Sequence, residues 1–196
     1  MTEARRARGE RRRRAILEAT LTLVGRKGAG AITHRAVAEE AGVPLAATTY
    51  YFASKSDLLR ETLAFAAETD RETTDKLAAE LADVDSADRF AETLADHVND
   101  WLGVGRPVVV SHYEISLEGA RRPELAEIDR AWTDRYVATL AEPFARLGSA
   151  DPTRDAWIVV STIEGMVFDE LSGPRPGFER EILRPALDRL IRALVG

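Results

Sequence analysis

The segment THRAVAEEAGVPLAATTYYFASK, residues 33–55, leaves its backbone few ways to run. Thr33 is a residue type whose hydroxyl accepts from an orphan backbone N–H one turn on, so it marks a helix start. Val37, Ala38 and Ala41 follow at three- and four-residue spacing and make a narrow apolar face, small enough for a close crossing. Gly42 ends that helix, because a sharp exit needs the left-handed backbone region that glycine enters without steric cost. Pro44 suits the first position of a second helix, where its missing N–H leaves nothing unpaired. On the second helix Thr48 and Phe52 share one side, and Ala46, Thr49 and Tyr50 the other, with Leu45 and Tyr51 on the flanks. The outward side is small, hydroxylated and aromatic and carries no acidic residue, as a helix entering a groove lined by phosphates requires.

Charge divides the chain into a part that contains this segment and a longer remainder. Residues 1–60 carry 12 Lys and Arg against 6 Asp and Glu, whereas residues 61–196 carry 15 against 27, so the net charge of −6 conceals a basic head and an acidic body. A polyanion is attracted to the first and repelled by the second, which orients the molecule as well as binding it. Residues 1–14, MTEARRARGERRRR, hold seven arginines and almost nothing apolar, and are expected to form a mobile arm at least as far as Gly9. The arm is either a solvated tail or a set of arginines that reaches DNA phosphates or the minor groove.

Beyond Lys55 the apolar spacing is helical throughout. Leu58, Leu59, Thr62, Leu63 and Ala66 form one buried stripe behind a cap at Ser54 or Ser56, while Asp70 to Lys76 read as a face turned to water. The run Val108 to Val110 is β-branched, but a single strand has no partner elsewhere, so residues 107–120 are assigned to a helix. Pro143 is expected to kink a long helix over residues 123–147, Asp151-Pro152 to cap the next, and Pro185 to interrupt the last. Trp157, Val160, Ile163 and Val167, with Leu187, Leu190, Ile191 and Leu194, put apolar groups on more than one side of the final two helices. They line either a thick core or, as preferred here, an interface between two copies of the chain. His97 and Trp101, and Trp132 and Tyr136, sit at four-residue spacing, with Phe65, His112 and Tyr113 on other helices. These seven are packing residues or the lining of a small-molecule cavity.

The joint pattern of Thr33, Val37-Ala38, Ala41-Gly42-Val43, the aromatic run ending in Phe52, and Lys55 with Leu58 resembles the tetracycline-repressor-type (TetR) family of bacterial transcriptional regulators. The motifs cover about the first third of the chain. Pro44, where that family usually opens the reading helix with Ser, and Thr48-Thr49, where it usually has an apolar residue and Tyr, leave the fold intact but transfer no base preference. The resemblance implies an all-α chain with a three-helix helix-turn-helix domain over residues 1–55 and a helical effector-binding and dimerisation domain over 56–196. It implies a cytoplasmic homodimeric repressor that binds a palindromic operator in double-stranded DNA and is released by an unidentified small-molecule effector. Thr33, His34 and Arg35 would meet phosphates or base edges, and Leu45, Ala46, Thr49 and Tyr50 would read the major groove. Tyr51 and Lys55 would clamp phosphates. In relatives the effector sits among body helices, which favours a cavity lined by the seven aromatic and histidine residues, and the last two helices of each subunit pack as a four-helix bundle. The rival reading is a DNA-binding factor without an effector, architectural or controlled by another protein.

Other classes find no support. There is no cysteine, and His34, His97 and His112 lack metal-ligand spacing, so neither a disulfide framework nor a metal site is expected. Gly25, Gly28 and Gly30 have the wrong spacing for a dinucleotide loop and no strand before them, and Ser111, Ser116 and Ser161 lie outside any nucleophile elbow. No catalytic residue and no cofactor is expected. No stretch approaches the ~18 apolar residues of a membrane span.

Overall fold

The computed structural model describes residues 3–103 and 106–196, with side chains from Arg5 onward, and these residues are helical with no strand among them. In chain order the helices are α1 (Glu3–Lys27), α2 (His34–Glu40), α3 (Leu45–Tyr51), α4 (Lys55–Thr69), α5 (Arg71–Leu81), α6 (Ala87–Gly103), α7 (Arg106–Gly119), α8 (Pro123–Arg146), α9 (Pro152–Ser172) and α10 (Arg184–Val195), with a 3₁₀ turn at Ala29–Ala31 and a π-helical turn at Phe178–Leu183. They group into two compact units, one of residues 1–68 with 105–129 and the other of residues 69–104 with 130–196.

In the first unit α1 corrects the expectation of a mobile arm, since the helix begins at Glu3 and runs through the arginines. Arginine is a good helix former, and Arg6–Glu10 (3.2 Å) and Arg14–Glu18 (2.8 Å) pair at four-residue spacing, which offsets some of the repulsion. Ile16, Leu17, Leu23 and Val24 are buried, as are Val109 and Ile115 of α7. The Val108–Val110 run is therefore helical, with Val109 in the core of this unit. Gly25 lets α7 approach α1 closely, for a β-carbon there would lie 1.7 Å from the Pro107 carbonyl oxygen. The Glu114 carboxylate accepts from the Ala29 N–H (3.2 Å) and so closes the turn after α1.

The second unit packs its apolar side chains around Phe90 and Phe144, whose rings meet edge-on at 5.1 Å, together with the buried Leu94, Val159, Val167, Leu183, Leu187 and Ile191. Asp151 caps α9 by accepting from the Arg154 N–H (3.2 Å), and Pro152 occupies the first turn, where its missing donor costs nothing. Pro143 falls in the last turn of α8, which continues to Arg146. Pro185 does not interrupt the last helix. It stands in the first turn of α10, directly after the π-helical turn that Gly177 opens at φ 73°.

The apolar set assigned to a subunit interface divides. Val167, Leu187 and Ile191 are wholly buried within the protomer and Val160 nearly so, which corrects the assignment of those four, since covered side chains have no area left for a partner. Ile163, Leu190 and Leu194 are half-buried. Trp157, at 56% exposure, lies on the outer side of α9 with Phe168, at 55%. No helix among the described residues is long and apolar enough to cross a membrane.

Candidate nucleic-acid interface

Local hydrogen bonds set the turn between α2 and α3. The Thr33 hydroxyl accepts from the Ala36 N–H (3.1 Å) and starts α2. At its end Gly42 adopts φ 62°, the Val43 N–H reaches back to the Ala38 carbonyl (3.0 Å) and the Gly42 N–H to that of Glu39 (3.3 Å). That pair of bonds is the Schellman closure that a left-handed residue makes possible. Pro44 stands at the N-cap of α3, one position earlier than its expected place inside the helix. The buried Thr48 hydroxyl lies 2.8 Å from the Leu45 carbonyl and 3.3 Å from that of His34, which joins α3 to the start of α2. Phe52 is buried below, with the Arg13 guanidinium 5.7 Å above its ring and Arg13 in turn paired with Glu61. A second cap fixes the entry to α4: the Ser54 hydroxyl accepts from the Asp57 N–H (3.0 Å), and the Asp57 carboxylate from the Ala53 N–H (3.1 Å). Arg60, bonded to Asp57 at 3.0 Å, and the Ala53 N–H hold that carboxyl below the ordinary carboxylate range.

On this frame Leu45, Ala46, Thr49 and Tyr50 are exposed together, Tyr50 at 81%, and its ring meets Tyr51 edge-on at 5.0 Å. Tyr51 is half-buried against α1, and the Lys55 ammonium donates to the Gly30 carbonyl (3.0 Å). Thr33 and Arg35 are exposed at the start of α2, while His34 turns Nδ1 inward, without a hydrogen-bond partner among the described residues. The outward face thus combines one large aromatic, a hydroxyl and short apolar groups, with few strong hydrogen-bonding side chains.

The seven aromatic and histidine residues considered for a cavity fall in both units. Phe65 lies under the Arg14 guanidinium (5.6 Å), and His112 and Tyr113 meet edge-on at 5.3 Å, all in the first unit. In the second unit the His97 ring lies 5.9 Å from that of Tyr136, with Trp101 one turn along α6. Trp132 Nε1 (2.7 Å) and the Tyr136 hydroxyl (2.8 Å) both donate to one oxygen of Asp70, which also lies 3.3 Å from the Thr74 hydroxyl. Arg71, Glu72, Thr73, Asp75 and Lys76 face water as expected, whereas Asp70 and Thr74 do not: Thr74 is buried, and the Asp70 carboxylate is the shared acceptor of this cluster. No lysine or arginine head pairs with it among the described residues. The only local signal was Thr74, four residues on; its other partners stand 62 and 66 residues away. Burial pushes the His97 pKa down, against the opposing charges of Asp70, Glu80 and Asp100, and burial pushes that of Tyr136 up. Among the described residues no group of three or more metal-ligating side chains could hold an ion.

A family model of the bacterial regulatory proteins, tetR family, matches residues 16–62, and the tetracyclin repressor-like C-terminal domain matches residues 85–193. The chain belongs to the TetR family. It is 27% identical over 184 residues to the HTH-type transcriptional regulator BetI of Cronobacter sakazakii, covering 92% of this chain and 89% of that one. The solved multidrug binding protein EbrR in complex with ethidium is 34% identical, with 91% of this chain and 98% of that chain covered and a TM-score of 0.71. A TetR-family member from Streptomyces coelicolor A3 is 35% identical at 91% and 97% coverage, with a TM-score of 0.73. The family model describes bacterial regulatory proteins and BetI is a transcriptional regulator, and the present chain is a DNA-binding transcriptional regulator.

Proposed function

We propose that the chain is a homodimeric, sequence-specific repressor that a small aromatic cation releases from a palindromic operator. Residues 1–55 serve as the DNA-binding part and residues 56–196 as the effector-binding and dimerising part. The reading rests chiefly on α3, whose inner side is fixed by Thr48 and Phe52 while Leu45, Ala46, Thr49 and Tyr50 stand together in solvent. Those four enter the major groove, Thr33, His34 and Arg35 meet the adjoining strand, and Tyr51 and Lys55 approach phosphates. Two copies associate through the outer side of α9. There Trp157 and Phe168 flank Gly165, at which a β-carbon would meet nothing within 4 Å, so a second helix has room to come close.

Support for the effector class comes from two directions. EbrR has been solved with ethidium, proflavin and malachite green, all aromatic cations. In the present chain Asp70 offers a carboxylate, with no cationic partner among the described residues, beside Trp132, Tyr136 and His97. The direct test is to select duplexes from a random pool with the full-length protein and titrate the recovered sequence with and without ethidium. Tyr50→Ala is expected to weaken binding by about 1–3 kcal/mol without altering dimer mass. Equal affinity of Tyr50→Ala and wild type would exclude this recognition face. Binding untouched by any of the three dyes would favour the effector-free regulator.

A further inference from the structure

The first turns of α1 face α3 across a cleft of about 740 Å³, whose α1 wall carries Arg5, Arg8 and Arg12 together with Arg13 and the Arg6–Glu10 pair, and whose other wall includes Ala46, Tyr50 and Tyr51. The arginines of α1 are not equivalent. Arg6, Arg13, Arg14 and Arg26 pair with Glu10, Glu61, Glu18 and Glu40, whereas Arg5, Arg8, Arg11 and Arg12 are exposed and have no acidic partner among the described residues; of the unpaired four, Arg5, Arg8 and Arg12 line the cleft. Spacings of three and four residues place these three on one side of the helix, over roughly 10 Å of its axis at ~1.5 Å per residue. Three uncompensated charges in a row call for a ligand with repeated negative charge. The phosphodiester backbone of duplex DNA is such a ligand, with one negative charge per nucleotide on each strand.

We propose that Arg5, Arg8 and Arg12 form a preformed helical rail for the phosphodiester backbone bordering the groove that α3 enters. The proposal rests on the DNA-binding reading of α3 and adds a second contact to it, of different character. Continuity with α3 selects the occupant, since Tyr50 and Ala46 line the same cleft and any duplex reaching them passes the arginines. The two walls are also joined. Gly9 leaves room for the Tyr51 hydroxyl, which would lie 3.4 Å from a β-carbon at that position, and Arg13 lies over Phe52 at the end of α3. Because the rail is already helical, little ordering entropy is lost on contact, in contrast to an arm that folds as it binds. A backbone rail adds affinity and register, and no base preference.

The test uses the full-length protein and the duplex it selects from a random pool. The triple variant Arg5→Gln, Arg8→Gln, Arg12→Gln is expected to lower the slope of log affinity against log salt by about 2.7, at ~0.9 per phosphate contact, while selecting the same sequence. The corresponding Arg→Lys triple variant keeps the charges and is expected to keep the slope, which separates lost charge from lost helix. A wild-type protein that binds its duplex with a slope the glutamine variant leaves unaltered overturns the rail. Equally, loss of binding to anionic phosphatidylserine vesicles with DNA binding unaltered would reassign the row to a membrane surface. Failure of the wild type to select any duplex overturns the DNA-binding reading and the rail with it.

Discussion

The turn between α2 and α3 and the Asp70 cluster are both held by hydrogen bonds, but they are assembled over very different distances along the chain. At the turn, the Thr33 cap, the Gly42 exit and the Ser54–Asp57 cap join residues within five positions of one another. At Asp70 a single carboxylate oxygen gathers donors from 62 and 66 residues away. The first kind of structure is written in adjacent residues and closes only short loops; the second brings together residues more than sixty positions apart and so closes long ones. Local bonding gives the turn a shape that survives changes on its outer face, while the cluster depends on everything that aligns its two helices.

This contrast can be broken from either side. The largest effect is expected at Gly25, where α7 comes so close to α1 that a β-carbon would lie 1.7 Å from the Pro107 carbonyl oxygen. Gly25→Ala sets a methyl against the Pro107 carbonyl and should cost about 3 kcal/mol through overpacking, more than the gain in helix propensity of about 1 kcal/mol returns. Urea unfolding should show it; unaltered stability would mean that α7 slides on α1. A smaller effect is expected at Asp70. Asp70→Ala removes the acceptor of Trp132 and Tyr136 and should cost about 1–3 kcal/mol. Asp70→Asn keeps an acceptor oxygen without the charge, so it should restore most of the melting temperature while abolishing release by ethidium. If the two variants melt alike, the hydrogen bonds do not hold the cluster.

The smallest effect concerns pH. Burial holds the folded pKa of His97 below the ordinary value near 6.5. The unfolded chain therefore takes up the proton first. Stability from this group is present above the unfolded pKa and is lost as pH falls through the folded one. Melting temperature should decline below about pH 6.5, and more gently in His97→Gln. Parallel curves for the two proteins would place the acid sensitivity elsewhere.

The same difference in distance explains how much of the molecule is legible in its sequence. Thr33, Gly42, Ser54 and Asp151 are legible because capping chemistry depends on neighbours a few residues apart. So is the helicity of residues 107–120, which follows from the lack of a strand partner. Asp70 is not legible, since nothing near it distinguishes a carboxylate turned inward from one in water. The arginine-rich start of the chain is helical rather than mobile because the Arg6–Glu10 and Arg14–Glu18 pairs along the helix offset a repulsion that composition alone overstates. For Val160, Val167, Leu187 and Ile191, helical spacing shows that they are apolar together, but not whether their own protomer or a second one covers them. The grouping of residues 105–129 with the first unit is likewise a fact of tertiary packing, invisible to local pattern.

The inward side of α3 has a consequence for how such a protein diversifies. Thr48 and Phe52 hold the helix in place, whereas Leu45, Ala46, Thr49 and Tyr50 stand outside the core. Exchanges among these four leave the folding free energy nearly untouched. On the proposed reading, in which these four face the major groove, one copy is free after gene duplication to acquire a new target sequence by single substitutions on this face, without first passing through a poorly folded ancestor.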